Sequence, residues 1–171
     1  MSFTEHFDTY ACEGDAISCE AEGFTLTARI VADDCPDAPD QRQYGFWPSL
    51  YKDAPGFIGE ADQESVRGTD SPPERNGFRQ RFAEAQAKAE AVMEAWRKGE
   101  WFYFGIVLCV TRDGIELDDH AASLWGVECN YPGADNSYLT SVANELLPEV
   151  LDAGRAAAAR LAATVTGWAA T

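Results

Sequence analysis

Ile17, Cys19 and Ala21 alternate with polar residues, and Phe24, Leu26, Ala28 and Ile30 do the same beyond Glu22-Gly23. A repeat of two places every second side chain on one face of a strand. Residues 15–32 therefore predict a β-hairpin turning at Glu22-Gly23, with Glu20, Glu22, Thr25, Thr27 and Arg29 on its polar face. From Ala32 to Asn76 the repeat fails, because Pro36, Pro39, Pro48, Pro55, Pro72 and Pro73 alternate with Gly45, Gly56, Gly59 and Gly68. Residues 33–76 are expected to form one long irregular loop. Tyr44, Phe46, Trp47, Leu50, Tyr51, Phe57 and Ile58 need somewhere to pack, so this loop should fold onto the body and could serve as a binding loop.

The period then changes. Phe78, Phe82, Ala85, Ala89, Val92, Met93 and Trp96 follow the helical repeat, and Gly99 stops it, which predicts a helix over 77–98. Trp101 to Thr111 is almost wholly apolar and ends at Asp113-Gly114, a strong two-residue hairpin signal. A strand apolar on both faces belongs at a sheet centre or at a subunit interface, so a homodimer joined through 101–110 is one expectation. The return strand begins at Ile115–Leu117, is interrupted by a bulge or corner at Asp118-Asp119-His120, and resumes from Ala121 to Cys129. After the turn Asn130-Tyr131-Pro132-Gly133, Asp135 or Asn136 can cap a last helix over 136–166. Its apolar stripe runs Leu139, Val142, Leu146 and Val150, then on to Leu161 and Val165. Pro148 removes a backbone donor and should kink that helix or start a second segment. The fold class is α+β: an antiparallel β-sheet of about four to five strands packed with two long helices, in a single domain spanning 1–171.

Charge changes this picture more than composition does. The chain has 29 acids against 13 bases, a formal net charge of −16. Residues 1–40 hold ten acids and one base, and residues 113–152 hold nine acids and none. Residues 76–112 reverse the balance, with four acids and six bases. Such a surface repels phosphates and anionic lipids and attracts basic protein surfaces. Direct nucleic-acid binding and membrane binding are accordingly not expected. The amino terminus shows no basic segment followed by an apolar one, and no apolar run approaches a bilayer's thickness, so the expected location is cytoplasmic.

Catalytic and metal chemistry find little purchase. Cys12, Cys19, Cys35, Cys109 and Cys129 are odd in number and follow no disulfide framework. With His6, the first three lack the paired spacing that zinc requires. Asp113, Glu116, Asp118 and Asp119 are dense, but the calcium-loop ladder is absent. His120 and Ser123 are close in sequence, yet on a regular strand they point to opposite faces, so a solvated corner histidine is expected. No phosphate-cradling glycine loop occurs. No cofactor, metal or catalytic residue is expected, and a small hydrolase or ligand-binding enzyme using the 44–58 loop ranks third among the readings.

The carboxylates remain. Alternate residues on one strand face lie about 6.6–6.8 Å apart, close to the phosphate spacing along one nucleic-acid strand. Glu20 with Glu22, and Glu116 with Asp118, have that sequence spacing. The expected partner surface comprises Glu20, Glu22, Asp33, Asp34, Asp113, Glu116, Asp118, Asp119 and Glu128. The expected partner is the basic groove of a nucleic-acid-binding protein.

A resemblance points the same way. The segment Gly99-Glu100-Trp101-Phe102-Tyr103-Phe104-Gly105 is followed by Ala122-Ser123-Leu124-Trp125-Gly126-Val127-Glu128-Cys129-Asn130-Tyr131-Pro132 and by Asp135-Asn136-Ser137-Tyr138-Leu139. Together these resemble a pattern in small uncharacterised acidic proteins of phages, plasmids and integrated elements. The resemblance covers the carboxy-terminal half only. It implies a mobile-element context, like that of anti-restriction and anti-CRISPR proteins, and no catalytic residues. The expectation is a non-enzymatic acidic inhibitor or modulator of a bacterial defence system that binds nucleic acid, of the DNA-mimic type. Its rival is a structural or interaction domain of a mobile element whose acidity serves solubility.

Overall fold

The computed structural model describes residues 2–34, 37–59 and 76–169. Cys35 and the 60–75 part of the expected loop lie outside the described residues. In chain order the elements are β1 (Ala16–Ala21), β2 (Phe24–Ala32), α1 (Pro39–Arg42), α2 (Asn76–Arg97), β3 (Phe102–Arg112), β4 (Ile115–Cys129) and α3 (Ser137–Ala169). They fall into two compact units, one comprising 1–34 with 101–171 and the other 35–100. The α+β class holds, with a four-stranded antiparallel sheet and two long helices.

In the first unit the strands are ordered β1-β2-β3-β4, and each neighbouring pair is antiparallel. Both hairpins close as their sequences require. Glu22 and Gly23 take φ of 54° and 78°, and Asp113 and Gly114 take 51° and 77°. Positive φ at both central residues marks the turn whose twist matches that of the flanking strands. β3 lies between β2 and β4 and is buried on both faces, Ile106, Leu108 and Val110 on one and Tyr103 and Val107 on the other, which accounts for its apolarity. Leu26, Ala28, Ile30, Ile106, Leu108 and Val110 form one buried face with Leu139, Ala143, Leu147 and Val150 of α3. α3 continues through Pro148 as a single helix of 33 residues, without the second segment considered above. Its buried stripe is Leu139, Ala143, Leu147, Val150 and Leu151. The expected continuation of that stripe to Leu161 and Val165 is corrected: these side chains are 46% and 54% exposed.

The segment before β1 buries Phe3, Phe7 and Ala11 in the core. The Phe3 N–H donates to Asn144 Oδ1 at 2.7 Å, Phe7 N–H to Thr140 Oγ1 at 3.3 Å, and Ala11 N–H to Asn130 Oδ1 at 2.9 Å. His6, between these anchors, stays exposed.

β4 reads as one long strand, but its register slips. Leu108 pairs with Ala122 while Val110 pairs with Asp118, so Asp119, His120 and Ala121 all stand opposite Cys109. This is the bulge expected there. A second slip sets Trp125 and Gly126 opposite Gly105, with Gly126 at φ 75°. Bulges of this kind re-aim side chains.

In the second unit, α2 buries Ala89, Val92 and Met93 of the predicted stripe, leaves Phe78, Phe82, Ala85 and Trp96 half-buried, buries Ala95 beside them, and turns Glu84, Glu90 and Glu94 outward. Gly99 ends it with φ 71°. Residues 43–59 form a tightly tied loop. Ser49 N–H donates to Gly56 O at 2.8 Å and Ile58 N–H to Ser49 O at 3.0 Å. A Cβ on Gly56 would stand 2.2 Å from Trp47 O, so only glycine permits that closure. The loop holds Tyr44, Leu50 and Tyr51 outward at 91%, 57% and 80% exposure, so these aromatics do not all pack inward as expected. Among the described residues, no helix is long and apolar enough to cross a membrane.

Candidate functional site

The register places each predicted acid. Thr25 of β2 pairs with Thr111 of β3, and Ala32 pairs with Phe104. The two hairpin tips therefore share one end of the sheet, and the end of β2 shares the other with the end of β4. Glu20, Glu22, Asp113 and Glu116 stand at the tip end, and Asp33, Asp34 and Glu128 at the far end. Asp118 and Asp119 lie between them on β4. Seven residues of strand separate the two levels, about 23 Å.

Neither expected pair has the regular spacing of alternate strand positions. Glu22 is a turn residue with φ 54°, not a member of the β1 face. Glu116 pairs with Thr111 but Asp118 with Val110, because Leu117 is extra at that point. The strand rule failed at a turn and at a bulge, the two places where alternation is suspended.

Local partners separate the acids further. Glu20 accepts a hydrogen bond from Thr25 Oγ1 at 2.6 Å. Glu22 accepts two from Arg155, at 2.9 Å from Nε and 2.6 Å from Nη2. Arg155 also donates to Asp152 at 2.6 Å. The guanidinium holds the Glu22 carboxyl below its ordinary range, and the carboxylates raise Arg155 in turn. Asp118 Oδ1 accepts from the His120 backbone N–H at 3.0 Å. Asp113 is 90% exposed, with Arg112 at 4.0 Å. Asp34, Glu116 and Asp119 are exposed, while Asp33 and Glu128 are half-buried.

What the fold does gather is charge as a whole. Residues 1–34 and 101–171 carry seventeen acids and four bases, a net charge of −13. Residues 35–100 carry twelve acids and nine bases, a net charge of −3. Both base-poor segments fall in the sheet unit, apart from 35–40. α3 adds three exposed acids outside the predicted set, Glu145, Glu149 and Asp152. Their spacing, opposite the buried stripe, was the available signal, since residues four and three apart share a helix face.

A second cluster was not expected. His120 Nε2 and Ser123 Oγ are 3.0 Å apart, and Trp125 Nε1–H donates to the same Oγ at 3.2 Å. The two rings stack, with centroids 6.2 Å apart and planes 15° from parallel. The expectation of opposite faces is corrected, because the bulge at 119–121 rotates His120 onto the Ser123 face. Arg29, on the same face, donates from Nη2 to Asp119 O at 3.0 Å. A hydroxyl hydrogen-bonded to an imidazole is the first link of a nucleophilic relay. Among the described residues, however, no hydrogen bond orients the other ring nitrogen, and His120 is exposed. Nor do these residues hold three His, Cys, Asp or Glu side chains placed to bind a metal ion.

No protein-family model, curated protein or solved structure matches the chain.

Proposed function

We propose that the sheet unit acts without catalysis, by presenting its carboxylates to the basic groove of a nucleic-acid-binding protein and so inhibiting or modulating it. The observation that carries this reading is the segregation of charge, seventeen acids against four bases in one compact unit. Duplex DNA carries roughly one charge per 1.7 Å, so the 23 Å between the two acidic levels corresponds to about fourteen duplex charges. The unit's net charge is of that size. A groove that binds duplex through lysine and arginine attracts a ligand of comparable negative charge as well. The resemblance to mobile-element proteins makes a defence nuclease or effector of the host the natural class of target.

The test is competition. The full chain should displace labelled duplex from a basic host nuclease or effector, with affinity that falls steeply as salt rises. Neutralising Glu20, Asp113, Glu116 and Asp119 together, as E20Q, D113N, E116Q and D119N, should weaken displacement and flatten its salt dependence. Absence of salt-sensitive competition against every basic effector tried ends this reading.

The rival, an interaction or structural domain whose acidity serves solubility, has its own observation. Arg155 pairs with Glu22 and Asp152 within the unit, and of the nine predicted acids four stand at one end of the sheet, three at the other and two between them on β4. For that rival the four neutralising substitutions would lower solubility and nothing else.

A further inference from the structure

Arg29 of β2 and Ser123 of β4 both pair with Val107 of β3, so the two side chains flank that buried residue on one face of the sheet. Two strand spacings set their backbones about 10 Å apart. Arg29 crosses most of the gap: its Nη2 donates to Asp119 O at 3.0 Å, on the peptide that leads into His120. The bulge there brings the imidazole to Ser123, and Trp125 joins the group from its place over Gly105. All of these residues belong to the sheet unit.

The donors and acceptors of this cluster do not balance. Ser123 Oγ can accept twice. Trp125 Nε1–H takes one place at 3.2 Å, and His120 Nε2 lies 3.0 Å away to take the other. With the imidazole proton on Nε2, the Ser123 O–H is left over as a donor. Arg29 brings a fork of N–H donors. Among the described residues only its Nη2 has an acceptor, and its Nε is buried with none. Arg29 is the only base in residues 1–40 and forms no ion pair among the described residues, although its unit holds seventeen acids. It rests on a backbone carbonyl instead. A guanidinium that is half-buried and unpaired, beside a spare hydroxyl donor, favours negatively charged oxygen.

We infer that this face of the sheet binds a small oxyanion, a phosphate or a carboxylate, held by Arg29 Nη1–H and the Ser123 O–H. His120 and Trp125 orient the hydroxyl. The unit's net charge of −13 opposes anions at long range, so occupancy depends on these direct donors. The inference does not rest on the proposed inhibitory function, which uses carboxylates and not Arg29. Competition with duplex can fail while this site binds, and the reverse.

Titration of the full chain with inorganic phosphate and, separately, with acetate, followed by NMR at an ionic strength held constant with chloride, tests it. At least one of the two should give saturable shifts at the Arg29 side chain, the His120 ring protons and the Trp125 indole N–H. Which one binds more tightly tells a phosphate site from a carboxylate site. Arg29→Gln should weaken binding about tenfold or more, and Arg29→Lys nearly as much, because lysine keeps the charge but not the fork. Arg29 is half-buried, so circular dichroism checks that both variants keep the fold. Ser123→Ala, a smaller change, should weaken binding about fivefold and reads the same site should either arginine variant fail to fold. Three results overturn the inference: no saturable shift from either anion, shifts that chloride alone reproduces, or an affinity unchanged in folded Arg29→Gln or in Ser123→Ala.

Discussion

Asn136 donates from Nδ2 to Asn130 Oδ1 at 2.7 Å, and through this pair the end of the sheet clamps the first residues of the chain. The same Nδ2 donates to Thr9 O at 3.0 Å, and Asn136 Oδ1 accepts the Asn130 backbone N–H at 2.9 Å. Asn130 in turn bonds both backbone groups of Ala11, at 2.9 and 2.8 Å. Asn136 is fully buried, and both asparagines sit at φ 60°, a conformation asparagine tolerates better than most residues.

Asn136→Ala should therefore be costly. It orphans the Asn130 N–H and the Thr9 carbonyl and places a Cβ-bearing residue without compensating bonds in the left-handed region. The expected loss is about 3 kcal/mol, measured as a shift in urea unfolding. Asn136→Gly should recover about 1 kcal/mol of it, the backbone part alone. Equal losses in both variants would show that the side-chain bonds carry the entire effect.

That clamp also shows where the sequence stops being informative. The Asp113-Gly114 turn, the α2 stripe and the bulge at Asp118-Asp119-His120 were legible because each is set within a few residues by period or turn chemistry. Phe3, Phe7 and Ala11 were not, because their partners Asn144, Thr140 and Asn130 lie 141, 133 and 119 positions away. The charge blocks were legible, and apart from 35–40 they share a unit. Which acids stay free was not, since Arg155 and Glu22 meet only across 133 positions. On an ideal strand His120 and Ser123 point apart, and the register slip that joins them is invisible in residue order.

The Arg155–Glu22 pair makes an acid-side prediction. The folded pKa of Glu22 is depressed, first by the hydrogen bond from Arg155. A depressed carboxyl stabilises the fold above its unfolded pKa, and the contribution is lost as pH falls through the folded value. Glu22→Gln should lower the urea midpoint at neutral pH and leave it unchanged at strongly acid pH, where the wild-type carboxyl is protonated too. An equal deficit at both pH values would mean that the turn, not the ion pair, was damaged.

Gly105 lies under the indole of Trp125. A Cβ there would stand 2.5 Å from Cε3, so Gly105→Ala should lift the ring, break its stack on His120 and cost about 1–3 kcal/mol. The His120 ring protons should shift in the NMR spectrum as the stacked indole leaves. In a Trp125→Ala background the same substitution should cost almost nothing, a coupling that a double-mutant cycle reads directly. A full cost in that background would place the conflict in the backbone instead.

Cys129 makes the alkaline prediction. Its side chain is fully buried opposite Phe102, and burial pushes the thiol from its ordinary 9.0 up to about 12. Below pH 9 the thiol is neutral in both states, so its contribution to stability is whole. Above pH 9 the unfolded chain releases the proton while the folded chain holds it until about pH 12, so stability falls across that window. Burial, with the neighbouring Cys129 and Glu128, raises Tyr138 in the same direction, so its loss falls on the same alkaline side. Cys129→Ala should be less stable at neutral pH, because it leaves a small cavity, yet should lose less on going to alkaline pH. An aromatic disulfide reagent should label the exposed Cys12 rapidly and Cys129 only as fast as the protein opens. Rapid labelling of Cys129 in the folded chain, or an alkaline limb unchanged by Cys129→Ala, would show that this thiol is not sealed where β4 meets α3.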